Sequence, residues 1–312
     1  MRRILLILTL LAAVGCSTTE GVDTTSSGSN DPASDSAGFP VTVSAGNGEV
    51  TIEQRPGRIV SLAPTLTEVL FAIGAGDQVV AVDELSNYPE QAPRTELSGF
   101  EPNLEAVAAL DPDLVVVSDD FNDIVSALTA VGISVIHNPA AAGLEDTYNQ
   151  IEQLGAATGN PEAADGLVAA MSSEIDDLAA SVQRRAVPLT YYHELDGSLF
   201  TVTSATFIGE VYGLAGLENI ADAAEGADTL YPQLSAEFII ESDPDLIFLA
   251  DTKCCGESAE TVAARPGWDQ LTAVTSGAVF ALDDDIASRW GPRVVDLLET
   301  IVAATLEVGE GG

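Results

Sequence analysis

Two glutamates hold the same place in two copies of one segment. Glu105 lies six residues before Asp111, and Glu237 lies six residues before Asp243. A pair of carboxylates invites an acid–base reading, but that chemistry needs both groups within reach of one substrate. These two belong to separate copies of a repeat and are expected to be far apart, so no catalytic residue is assigned. The sequence has no nucleophile elbow, phosphate-binding glycine loop or zinc-ligand spacing, and an enzyme is not expected. There are two histidines, His137 and His193. A site for bare Zn2+ or Mn2+ wants several imidazoles and carboxylates converging, which makes that function the weaker alternative. No metal site and no cofactor are assigned.

Four other places carry usable chemistry. Cys254 and Cys255 are neighbours. Adjacent Cα atoms lie about 3.8 Å apart, below the usual disulfide span of roughly 4.4–6.8 Å. Free thiols in an oxidising compartment do not last, so a strained, reducible vicinal disulfide is the favoured state. Arg289 and Trp290 sit in loop 283–291, just before a helix expected to start at Pro292. Arg289 can meet a carboxylate or phosphate on a ligand, or it can form a salt bridge with Asp283, Asp284 or Asp285. Ser61, Leu62, Ala63, Pro64 and Thr65 leave a strand and open a helix. Their backbone N–H groups can face an anion or carbonyl, or the Ser and Thr hydroxyls can simply cap that helix. Tyr191, Tyr192 and His193 open the second half on a strand. One or two of them, Tyr192 foremost, are expected to face a ligand, and the rest to be core.

These residues need elements to position them. Residues 104–117 and 236–249 both read as a short helix, an Asp-Pro-Asp turn and a continuous apolar strand, 132 positions apart. Proline ends the helix, and an unbroken apolar run suits a parallel strand covered on both faces. Upstream, Thr67, Glu68, Val69, Leu70 and Gly74 match Gly209, Glu210, Val211, Tyr212 and Gly216 at a shift of 142. Each is a helix ending at glycine, with strands expected at 58–62 and 199–202. Between the copies, Leu167, Met171, Ile175, Leu178 and Val182 recur at helical spacing over 161–183, a long amphipathic helix opened by Asn160 and Pro161. The expected fold is α/β: two Rossmann-like lobes, 41–159 and 185–312, with a ligand cleft between them, joined by one long backbone helix at 160–184. Ligands of open α/β sheets sit beyond the carboxyl ends of the strands. The loops after Leu62, Val117 and Leu249 should line the cleft, and Cys254 and Cys255 should reach its rim.

The amino terminus sets the compartment. Arg2 and Arg3 precede an apolar run at 4–14, too short to span a bilayer, which ends in Ala13, Val14, Gly15 and Cys16. That is a signal peptide of 1–15 with lipidation expected on Cys16. The Ser-, Thr- and Gly-rich stretch to residue 40 cannot bury enough apolar area to fold and reads as a tether with a coil span of roughly 25–30 Å. The formal charge is −38, and Lys253 is the single lysine. Such a surface repels nucleic acid and anionic lipid, leaving the lipid on Cys16 as the membrane contact. The product is expected to be exported, anchored on the extracytoplasmic side and monomeric.

Several motifs bear on family. They are Arg58 through Glu68; Tyr88, Pro89, Glu90, Gln91 and Ala92; Asn103, Leu104 and Glu105; Asp111 through Val115; Ala264, Arg265, Pro266, Gly267 and Trp268; and Gly291, Pro292 and Arg293. Over about 41–308 the chain resembles the helical-backbone class of ABC-transporter substrate-binding proteins for iron-siderophores, haem and vitamin B12. The resemblance implies capture of a metal chelate, corrinoid or ferric siderophore before haem, and its delivery to a permease. It implies that Glu105 and Glu237 dock one lobe each onto arginines of the permease dimer, where charge-assisted pairing sets orientation. It places Tyr88 and Phe100 against a flat ligand and Arg289 at the mouth of the cleft. The chain departs from the vitamin B12-binding pattern after Val117, where Ser118, Asp119, Asp120 and Phe121 stand in place of a tryptophan-rich surface, and this keeps siderophore and haem open.

Overall fold

The computed structural model describes residues 38–182, 185–224 and 229–310. The expected signal peptide, Cys16 and the tether up to residue 37 lie outside the described residues. An antiparallel hairpin, β1 (Val41–Ala45) and β2 (Gly48–Ile52), precedes two parallel sheets. The first sheet holds β3 (Ile59–Ser61), β4 (Val79–Val82), β5 (Leu114–Val117) and β6 (Ser134–His137) in the order β4-β3-β5-β6. Its connections carry α1 (Pro64–Ala72), α2 (Leu104–Ala108) and α3 (Ile124–Ala130), and α4 (Leu144–Thr158) and α5 (Pro161–Ser181) follow. The second sheet holds β7 (Thr190–Glu194), β8 (Glu218–Asn219), β9 (Leu246–Leu249) and β10 (Val279–Ala281) in the order β10-β9-β7-β8. Its helices are α6 (Phe207–Leu214), α7 (Ala236–Ser242), α8 (Thr252–Cys255), α9 (Ala259–Ala263), α10 (Thr272–Ser276), α11 (Asp284–Ala287) and α12 (Val294–Glu310). Each sheet keeps its first and third strands inside and its second and fourth at the edges. The fold is the expected α/β pair of lobes, with α5 running between them.

The repeat has a physical cause in the Asp-Pro-Asp turns. The first aspartate takes a left-handed backbone in both copies, φ 49° at Asp111 and φ 43° at Asp243, which aspartate tolerates better than most residues. The second ties down the start of the neighbouring strand. Asp113 accepts from the N–H of Gly57 and Arg58 at 2.8 and 2.9 Å, and Asp245 accepts from the N–H of Thr190 at 2.8 Å. The strands that follow, β5 and β9, are buried at every position, as two covered faces require.

One boundary differs from the expectation. Ile59 pairs with Leu114, and Tyr191 pairs with Leu246, so the counterpart of β3 is β7 and not 199–202. In the first lobe only Leu62 and Ala63 separate β3 from α1, whereas residues 195–206 separate β7 from α6. The extra length makes a side excursion: Thr201 and Thr203 donate to the carbonyls of Pro232 and Leu230, both at 3.0 Å. The helices themselves end alike, at Gly74 and Gly216, whose φ values are 79° and 71°.

The lobes are not separate bodies. One buried cluster runs from Leu66 and Leu70 through Ile151, Leu154, Met171 and Ile175 to Tyr212, Phe248, Leu298 and Ile301. It joins α1, α4, α5, α6 and α12 to both sheets. Burial of each such side chain stabilises the fold by roughly 1.5–3 kcal/mol, so opening this seam is unfavourable.

Candidate functional site

The carboxyl end of β3 is sealed by a hydroxyl network. Ser61 is wholly buried, and its hydroxyl donates to Ala63 O at 3.2 Å. Thr67 donates to Ser61 at 2.9 Å and meets Ser86 at 2.9 Å, and Ser86 donates to Asp83 at 2.8 Å. Asp83 also accepts from the N–H of Leu85 and Ser86 at 2.7 and 3.0 Å, and burial pushes its carboxyl above the usual range despite these bonds. Thr65 is buried too. Ser61 and Thr65 therefore present no side-chain surface to a ligand; their hydroxyl-bearing segment shapes the rim, on which Pro64 stays partly exposed.

An aromatic pair stands on that rim. Phe100 is 61% exposed and Phe121 40%, with ring centroids 5.8 Å apart. They border a hollow shared with Pro64, Leu85 and Ser118. The segment bearing Phe100 lies hard against β3's exit loop, since a Cβ on Gly99 would meet Leu62 O at 2.6 Å. Phe121 was passed over in the sequence, although its place just beyond a parallel strand is the signal that finds it. Tyr88, half exposed, is elsewhere. It lies under the Arg293 guanidinium at 4.3 Å in a second hollow with Glu68, Phe71 and Gln91, so Tyr88 and Phe100 do not form one surface.

Arg289 is engaged by protein. It is buried and donates to Glu68 at 2.8 Å, Asn87 at 2.9 Å, Leu85 O at 3.1 Å and Asp285 at 2.8 Å. Arg293 adds a two-pronged pair with Glu68 at 2.8 and 2.6 Å. Of the two roles open for Arg289, the salt bridge to the Asp283–Asp285 cluster is realised through Asp285. The addition is Glu68 on α1, which makes the arginine a fastener between lobes. Trp290 is partly buried against the core, and its indole donates to Gln150 at 3.1 Å, tying α4 to the α11–α12 connection rather than facing the rim.

The three aromatic residues opening the second lobe are all interior, which corrects Tyr192 as a ligand contact. β7 is covered on both faces. Tyr191 stacks on Tyr212 at 4.0 Å, and Tyr192 turns to Trp268 at 6.1 Å. His193 shares a 2.8 Å hydrogen bond with the Tyr212 hydroxyl, and full burial pushes its pKa down to about 3. It is neutral at physiological pH.

Beyond β7 and β9 lies a charged cluster that was missed in the sequence. Glu194, with no exposed side chain, takes both prongs of Arg265 at 2.6 Å, and Arg265 reaches Glu257 at 2.8 Å. Asp251 is buried beside them with no hydrogen-bond partner on either oxygen. Burial first, then the charges of Glu194 and Glu257, push its pKa up to about 7. Arg265 stood in the Ala-Arg-Pro-Gly-Trp motif without a role. Its partner Glu194 is 71 positions away, beyond any local pattern.

Glu105 and Glu237 are exposed in the first turns of α2 and α7. Asn103 caps the first helix by accepting from Ala106 N–H at 2.9 Å, and Ser235 caps the second by accepting from Phe238 N–H at 3.1 Å. The caps satisfy helix-end donors, so neither glutamate is needed for that task. Cys254 and Cys255 are joined by a disulfide and are both exposed. Among the described residues, no group of three or more His, Cys, Asp or Glu side chains is placed to hold a metal ion, and no helix is long and apolar enough to cross a membrane.

With this geometry in hand, comparison with known proteins is decisive at the level of family. The model of the periplasmic binding protein family matches residues 59–286. The chain belongs to that family. An uncharacterised ABC transporter substrate-binding lipoprotein of Bacillus subtilis, YvrC, is 32% identical over 277 residues, covering 84% of each chain. A cobalamin-binding protein of Halobacterium salinarum is 34% identical over 268 residues, covering 83% of this chain and 72% of that one. The crystal structure of the periplasmic vitamin B12 binding protein BtuF of Vibrio cholerae superposes with a TM-score of 0.65 at 26% identity, covering 82% of this chain and 98% of that one. Membership makes the chain a substrate-binding protein working outside the cytoplasm, and these relatives are named as binding proteins, not as enzymes.

Proposed function

We propose that the chain captures a metal held in an organic chelate and delivers it to an ABC permease. A corrinoid and a ferric siderophore are the leading ligands, with haem behind. The observation that carries this is the exposed Phe100–Phe121 pair where the first sheet ends. Large apolar groups left in water at a strand terminus are expensive unless something covers them, and exposed aromatic faces suit a macrocycle or an aromatic chelate. The cobalamin-binding relative supports a corrinoid. In this reading the lobes 41–159 and 185–312 act as the two jaws, with 160–184 as their spacer. Glu105 and Glu237 are the docking acids, and lipid on Cys16 holds the protein at the extracytoplasmic face of the cell membrane.

The test is calorimetric titration of the protein with cyanocobalamin, hemin and a panel of ferric siderophores. At least one should bind with micromolar or tighter affinity, and Phe100→Ala with Phe121→Ala should weaken it by about tenfold or more, as loss of a central aromatic anchor does. Micromolar binding of free Zn2+ or Mn2+, with no response to any chelate, overturns the proposal.

A further inference from the structure

The Cys254–Cys255 disulfide has no part in the function proposed above. It joins residues one apart, so it closes almost no loop in the unfolded chain, and cross-link stabilisation grows with loop length. It does not fill the core either, because both cysteines are exposed and α8 has no buried residue. A covalent bond that neither staples the chain nor packs the interior acts through the surface it presents.

That surface is in a telling place. Only Ala250 and Asp251 separate β9 from α8, so the disulfide sits at the carboxyl end of the second sheet, on the ligand side of an α/β lobe. The 132-residue repeat puts Lys253 opposite Phe121. One lobe thus ends its third strand with an exposed ring, and the other ends it with an exposed disulfide. The helix carrying it is firmly seated. Asp284 accepts from the N–H of Thr252, Lys253 and Cys254 at 3.0, 2.9 and 3.0 Å, and from the Thr252 hydroxyl at 2.8 Å. Lys253 binds Asp283 and Asp285 at 2.5 and 2.9 Å. Asp285 in turn accepts from Asn87 of the first lobe at 3.0 Å. The disulfide therefore stands beside a junction of the two lobes, held before any ligand arrives.

Two bonded sulfurs with their methylenes form a small, polarisable surface with no hydrogen-bond donor, and sulfur sits well against a conjugated ring. We propose that the Cys254–Cys255 disulfide is a ligand-contact plate that lies against the apolar or conjugated face of the bound chelate, on the wall opposite Phe100 and Phe121. The proposal rests on the chelate-receptor reading and goes beyond it by making affinity depend on the oxidation state of one bond. Reduction adds two electrons and two protons, separates the sulfurs into independent thiols and removes the plate.

The experiment uses the full chain in detergent with cyanocobalamin, gallium protoporphyrin and gallium desferrioxamine as probes, whose metals a mild dithiol leaves unreduced. The rate at which the dithiol opens the disulfide is followed by maleimide labelling and mass spectrometry, with and without a saturating probe that binds. Contact predicts that the bound probe slows reduction by about tenfold or more, because a covered sulfur is closed to the attacking thiolate. It also predicts that Cys254→Ser with Cys255→Ser weakens that probe about tenfold while the melting temperature stays within about 3 °C. Equal reduction rates with and without a bound probe overturn the plate and leave the receptor reading standing. Failure of every probe to bind the oxidised protein overturns the receptor reading itself.

Discussion

A buried carboxyl with no hydrogen-bond partner is disfavoured in its charged form, and Asp251 answers by keeping its proton. Its folded pKa of about 7 lies above the ordinary 3.8, chiefly through burial, then through Glu194 and Glu257. Between those two pH values the native state holds a proton that the unfolded state has lost. Stability therefore falls as pH rises through that window and is lowest above it. Asp251→Asn removes the titration, and the variant's stability advantage over wild type should be larger at pH 8 than at pH 5 by on the order of 2 kcal/mol. Urea unfolding midpoints at the two pH values check this, and identical pH profiles for both proteins would refute it. None of this was legible in the sequence, where Asp251 is one acid among 49. The same blindness applies to Arg289, whose partner Glu68 lies 221 positions away. Ion pairs are made by topology, and local spacing cannot announce them.

At the level of elements much more could be read. The Asp-Pro-Asp turns were visible because one chemical task, a left-handed turn followed by a strand-capping carboxylate, recurs in both lobes with the same residues. The start of the second lobe was harder. Tyr191, Tyr192 and His193 read as a strand, but they carry polar atoms, so their complete burial in a central strand does not show as an apolar run, and the more apolar residues 199–202 were matched to β3 instead. Phe100 was found through family likeness, but the element that aims it was not. The loop bearing it crosses the backbone of Leu62 at a distance only glycine permits. Because the obstacle at Gly99 is a carbonyl, not a flexible side chain, Gly99→Ala should lift the loop. The expected result is a loss of roughly 1–3 kcal/mol in stability together with weaker chelate binding, read from thermal melts and titrations on the same preparation. Unchanged values in both would show that the loop yields freely.

Across the whole molecule, Glu68 is the keystone of the lobe junction. It is 2% exposed and receives both Arg289 and Arg293. Glu68→Ala would leave the Arg293 guanidinium without its carboxylate and Arg289 with Asp285 as its remaining acid, and removal of one partner from a buried pair costs on the order of 3–5 kcal/mol. Chemical denaturation should show that loss, and a loss below about 1 kcal/mol would mean that solvent readily takes over the arginines. Glu105→Arg with Glu237→Arg should leave chelate affinity within about threefold while crippling uptake by whole cells, since attraction to the permease becomes repulsion. Normal uptake by that double variant would remove the docking role. The continuous core through α4, α5 and α12, with the Glu68 fastener beside it, has a consequence for traffic at the membrane. If Glu105 and Glu237 dock as proposed, a body that flexes little shows its importer the same pair of carboxylates whether laden or vacant. Vacant copies then queue for the same berth as laden ones, and transport at fixed ligand supply should climb with receptor abundance, peak, and decline once idle copies crowd the entrance.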